Sequence, residues 1–109
     1  MNNIIKKHKF LKLIKKIQTQ EGLEDWNFKN IDENFDYKAR GLDQIPVAVT
    51  DRNSKTIFFD TGYDFNILNA VLLHEVAHVK DKSWNKKEPH DENWAIEYTS
   101  LVIEYMKVR

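Results

Sequence analysis

The opening segment, IIKKHKFLKLIKKIQ, sets apolar residues among lysines: Ile4, Leu11, Ile14 and Ile17 recur near helical spacing. The pattern predicts an amphipathic helix of about 15 residues, ending before Gly22, with its apolar stripe on the core and its lysines in solvent. Residues 21–46 are rich in Asp, Asn and Glu and show no usable period; Trp26, Phe28, Phe35 and Tyr37 are expected to anchor them to the core. PVAVTDRNSKTIFFD then reads as a hairpin, with β-rich runs at Val47–Thr50 and Thr56–Asp60 and turn residues in DRNS. DTGYD breaks the second run and supplies a cap for a helix from Phe65 to about Lys82. Phe65, Ile67, Leu68, Val71, Leu72, Leu73, Val76 and Val79 lie nearly all round that helix, which is therefore expected to be buried on several sides. SWNKKEP reads as a loop, and a last helix, about Asp91–Lys107, groups Trp94, Ala95, Tyr98, Leu101, Val102 and Tyr105 on one face. Helix, hairpin, helix, helix describes a small α+β domain.

Length and composition narrow the picture. A chain of 109 residues makes one domain with one core, here taken as residues 1–109. It contains no cysteine, which excludes disulfides, a thiolate nucleophile, iron–sulfur ligation and cysteine-based zinc sites. Formal charge is zero, yet residues 1–20 hold six lysines and no acid, leaving 11 basic and 17 acidic residues in the remainder. This is a basic arm on an acidic body. The arm could contact nucleic acid or an anionic membrane surface, whereas the acidic body argues against a nucleic-acid surface across the whole domain. No continuous apolar run resembles a secretory signal or reaches the ~20 residues of a membrane span, so a soluble cytoplasmic protein is expected.

The chemistry is concentrated in LLHEVAHVKD, starting at Leu72. Helical positions i and i+4 fall about 40° apart, one turn above the other, so His74 and His78 aim at a common point. Two imidazoles so arranged suit a divalent ion, zinc above all. Glu75, rotated about 100° from His74, borders that point without ligating and can take a proton from water there. This is the H-E-x-x-H pattern. The alternative is a hydrogen-bonded structural pair, since two histidines and a glutamate in an apolar helix need partners of some kind. Zinc requires a third protein ligand, and catalysis an open fourth position. His90 lies at the edge of the apolar face of the last helix; Glu97 is on the same side further down, and Glu92 points away. His90 is favoured, then Glu97, then Glu92.

LLHEVAHV followed by EPHDENWAIEYTSLVIEYM resembles the SprT-like and WLM zinc metallopeptidases, including small phage forms, over residues 39–107. The matching positions are His74, Glu75 and His78, then His90, Asp91 and Trp94. The resemblance implies a minimal zincin-like fold, zinc held by His74, His78 and His90, Glu75 as catalytic acid/base, and a protein or peptide substrate. Family members commonly add a cysteine zinc ribbon, which this chain lacks, and those acting on DNA-linked proteins add DNA-binding segments, for which only the lysine-rich arm could serve. A weaker similarity to the ImmA/IrrE-like metallopeptidases would use Glu92, with Ala95 and Tyr98; a minimal gluzincin would use Glu97. For a peptidase, the hairpin could hold an extended peptide by strand addition beside a shallow cleft, with Tyr63, Tyr98 or Tyr105 as core aromatics or proton donors. A different class of function is a non-catalytic module in which zinc ties the last two helices together and the chain binds protein or nucleic acid.

Overall fold

A computed structural model describes residues 8–31, 35–39, 42, 44, 46–81 and 90–106. Its elements are α1 (His8–Glu21), β1 (Asn27–Asn30), β2 (Ala48–Asp51), β3 (Thr56–Phe59), α2 (Phe65–Lys80) and α3 (Glu92–Met106), an α+β arrangement. Ile4, the SWNKKEP loop, Lys82 and Lys107 lie outside the described residues.

The stripe of α1 is built from Phe10, Ile14 and Ile17, all buried, while Lys9, Lys12, Lys15 and Lys16 are exposed. Phe10, rather than Leu11, heads the stripe: its ring meets Phe59 edge-on at 5.2 Å, and Leu11 stays at the margin. Gly22 ends the helix in the left-handed region (φ 70°), and the Leu23 amide returns to the Gln18 carbonyl at 2.8 Å. That closure satisfies one of the carbonyls orphaned at a helix end and turns the buried Leu23 inward.

The hairpin forms where the β-rich runs predict it. Ala48 pairs with Phe59 and Asp51 with Thr56, antiparallel, across a turn in which the Asp51 carboxylate accepts from the Asn53 amide at 3.0 Å. The strand absent from the sequence reading is β1. NFKN offers only Phe28 as an apolar residue, so no alternation marks it; it forms because the free edge of β3 can bond it in parallel, Asn27 opposite Thr56. Phe28 stacks on Phe59 at 6.3 Å. The sheet order is therefore β1-β3-β2, with all four residues of β3 buried at its centre and β2 at an edge.

Asp64 caps α2, its carboxylate accepting from the Ile67 amide at 3.0 Å. Leu68, Leu72, Leu73, Val76 and Ala77 fill the core, but Ile67 is exposed, so α2 is covered on fewer sides than its composition suggests. The helix stops at Lys80 with Asp81 as its cap. In α3, Trp94, Tyr98, Leu101, Val102 and Tyr105 turn inward as expected, whereas Ala95 is exposed. Only Leu101 of this helix is fully enclosed. No described helix is long and apolar enough to cross a membrane.

One polar knot ties the three helices. The Lys80 ammonium donates to Glu21 at 2.6 Å, and the Tyr105 hydroxyl donates to the other Glu21 oxygen at 2.6 Å. Burial pushes the Glu21 carboxyl up, but the hydrogen bonds from Lys80 and Tyr105 and the Lys80 charge together hold it below its ordinary value. A depressed carboxyl stabilises the fold above its unfolded pKa, and that contribution disappears as pH falls through the folded pKa. Glu21→Gln should accordingly lower the melting temperature by a few degrees at pH 7. The deficit should shrink below about pH 4, as thermal melts across pH would show.

Candidate metal centre

The regular turn of α2 stacks His74 over His78, and the residue before the α3 cap brings His90 to meet them. Their Nε2 atoms form a near-equilateral triangle with sides of 3.2, 3.1 and 3.2 Å. For metal–nitrogen bonds of about 2.1 Å, tetrahedral ligation separates the nitrogens by about 3.4 Å, so the triangle fits three corners of one coordination sphere. The three histidines are close enough to hold a metal ion, and no other set of three candidate ligands converges among the described residues. Glu92 is exposed in the first turn of α3 and Glu97 half-buried beyond it; neither joins the cluster. His90 precedes the helix and its cap, so the helical wheel extends to it only approximately; the Asp91 cap nevertheless turns the chain so that its ring reaches the pair.

The electrostatics keep nitrogen lone pairs available. Burial, then the neighbouring imidazoles His74 and His90, then Arg52, push His78 down to about 4, with Asp81 opposing. Burial and His90 likewise lower His74. Both rings are thus neutral at pH 7, the state a metal requires. Three nitrogens in mutual contact cannot all carry protons pointing inward, and a shared cation satisfies all three lone pairs together.

Glu75 lies directly behind this triangle, with 9% of its surface exposed. Its Oε1 accepts from the Thr50 hydroxyl at 2.7 Å, and its Oε2 is 3.9 Å from His74 Nε2. Burial raises the carboxyl, against the opposing hydrogen bond from Thr50. Thr50 therefore fixes one oxygen of Glu75 and leaves the other beside the imidazoles. The Arg52 guanidinium donates to the His78 carbonyl, tying the hairpin turn to the last turn of α2. Trp94 supports the rings from the other side. Its Nε1 donates to the His74 carbonyl at 3.3 Å, its ring centroid lies 4.9, 5.5 and 4.8 Å from those of His74, His78 and His90, and Tyr98 stacks on it at 5.0 Å.

An open cleft of about 710 Å³ runs between β2 and the histidines, bordered by Thr50, Asp51, Arg52 and Asn53 along one wall. No family model, curated protein or solved structure matches the chain. What the site can do is decided by its own donor set: three converging imidazoles, a buried carboxyl group at hand, and solvent access on one side.

The hairpin pattern marks Thr50 and Arg52 only as strand and turn residues. The available signal was weak: a threonine in the hairpin, at a position where period two does not distinguish a core contact from a polar one. Tyr63 is exposed and Tyr105 is engaged with Glu21, so of the three tyrosines considered as donors only Tyr98 adjoins the rings.

Proposed function

We propose that the chain is a zinc-dependent metallopeptidase of the SprT-like kind. The observation that carries this reading is the 3.1–3.2 Å triangle of imidazole nitrogens with the Glu75 carboxylate alongside it. Three nitrogen ligands and an exposed open side match the donor number and vacancy of catalytic zinc sites, whereas purely structural sites close all four positions. Oxygen-seeking ions such as magnesium or calcium suit an all-histidine set poorly.

Bound there, zinc supplies Lewis acidity towards water and towards a peptide carbonyl. The work of the chain's own residues follows from their positions. Glu75, with Oε1 held by Thr50 and Oε2 beside His74, accepts the proton of the attacking water as the C–O bond forms. It then delivers that proton to the departing amine nitrogen as the C–N bond breaks, which regenerates the carboxylate. Thr50 keeps the carboxylate in one rotamer through both transfers. His74, His78 and His90 hold the ion, and Trp94 and Arg52 hold the helix turns that carry the rings. The edge strand β2 lines the cleft and can bond an extended substrate by strand addition.

The direct test is cleavage of an unfolded protein such as casein by zinc-loaded chain, its loss on chelation and its return with zinc. A metal-tied binding module predicts the same zinc uptake with no cleavage.

A further inference from the structure

The helix α3 is apolar on two faces. Trp94, Tyr98, Leu101 and Tyr105 turn to the core, while Ile96 and Ile103 stand on the far side, 57% and 69% exposed. Seven residues apart, the two isoleucines lie on one line along the helix, and Met106, also exposed, continues it. Between them sit Thr99 and Ser100, both exposed and both short. Residues i, i+3, i+4 and i+7 are the four that frame a hole for one side chain of a facing helix. Here the frame is Ile96, Thr99, Ser100 and Ile103, with an apolar wall at each end and a low floor between.

Charge decides what fits this face. The residues of α3 include Glu92, Glu97 and Glu104 and no basic side chain. Glu92 lies one turn before Ile96 on the same side, and Glu104 adjoins Ile103; both are exposed. Acids so placed repel nucleic-acid phosphates and anionic lipid alike. They also count against a second copy. An antiparallel pair of α3 helices that seats Ile96 in the hole of the other copy sets Glu92 against Glu104 at both ends. The face is small as well: at about 1.5 Å per residue and about 11 Å across, its outline is roughly 250 Å². A stable dimer needs about 800 Å² per partner, whereas one docked helix needs no more than one helix face.

The geometry points to the outer face of α3 as a docking surface for one helix of a partner protein, carrying large apolar side chains at heptad spacing beside lysine or arginine. A leucine-sized knob fills the hole over Thr99 and Ser100 and covers both isoleucines. Basic side chains next to it reach Glu92 and Glu104. Apolar burial supplies the affinity, and the charges select the partner. This face lies opposite the Trp94 and Tyr98 contacts with His74, so the inference does not rest on the peptidase reading.

The test uses the full chain and two labelled helical peptides of about three heptads, with leucine at the a and d positions. Lysine flanks the leucines in one peptide and glutamate in the other. Kept at nanomolar concentration, the peptides stay monomeric while the chain is titrated. Fluorescence anisotropy should show the lysine peptide binding about tenfold or more tightly at low salt, with the ratio falling as salt screens the charges. Ile96→Asp and Ile103→Asp should each weaken the lysine peptide by about tenfold or more, although each adds a negative charge that would strengthen a purely electrostatic attraction. Both positions are exposed, so thermal melts of the variants should match the wild type. Equal binding of the two peptides, binding of neither, or lysine-peptide binding that survives both substitutions overturns the proposal. A concentration-dependent dimer in sedimentation that Ile103→Asp dissolves overturns it too, because the face then belongs to a second copy.

Discussion

Glu75→Gln should leave the chain folded and metal-loaded yet cut peptide hydrolysis by about 10²–10⁴-fold, the usual worth of a positioned general base. Glutamine has the same shape and retains a carbonyl oxygen that can accept the Thr50 hydrogen bond, so packing around this 9%-exposed side chain is preserved. What it lacks is a site for the proton. Burial already raises the Glu75 carboxyl, so the uncharged isostere relieves a desolvation cost and stability should hold or rise slightly. The measurement pairs kcat/KM on a peptide substrate with zinc analysis and a thermal melt on the same preparation. Cleavage that persists at the wild-type rate in the glutamine variant would remove Glu75 from the chemistry.

His90→Ala carries the other large effect, on metal affinity. Losing a supporting outer partner typically costs 10–100-fold in affinity, so loss of a ligand should exceed about 100-fold. The substitution lies on an exposed residue ahead of α3, away from the core, so the metal-free fold should melt close to the wild type. A ligand bound only by the folded state stabilises it in proportion to the logarithm of its excess over Kd, about 4 kcal/mol at a thousandfold excess. Wild type should therefore show a marked rise in melting temperature with zinc, and the alanine variant almost none. The rise has a structural source. Only Leu101 of α3 is fully buried, and Trp94 and Tyr98 pack against His74 in the helix's N-terminal half, so an ion bridging α2 to His90 adds a further tether at that end. A variant that keeps stoichiometric, tight zinc would reassign the third ligand.

Where local chemistry was strong, the sequence was readable. The i, i+4 histidines, the Asp64 cap, the Gly22 stop and the hairpin runs each rest on one short-range rule, and each appears in the fold. β1 was invisible because its pairing is dictated by the vacant edge of β3 and by Phe28 meeting Phe59, neither of which leaves a period in NFKN. The same holds within the site. His74, Glu75 and His78 share one helical turn, and the edge of the α3 face points to His90. Thr50 and Arg52 come from 25 and 26 residues away and reach Glu75 and His78 only because the hairpin packs on α2. Ala95 shows the converse: an apolar residue at a correct angle on the wheel, left in solvent because α3 packs mainly along Trp94, Tyr98 and Leu101.

The proposed hydrolysis depends throughout on three imidazoles binding one ion, and X-ray absorption at the zinc edge on stoichiometrically loaded protein examines that most directly. One zinc per chain with three imidazole nitrogens at about 2.0 Å and one oxygen from solvent is the expected spectrum. Two imidazoles with carboxylate oxygens in place of the third, or failure to retain one equivalent of zinc, would contradict the account.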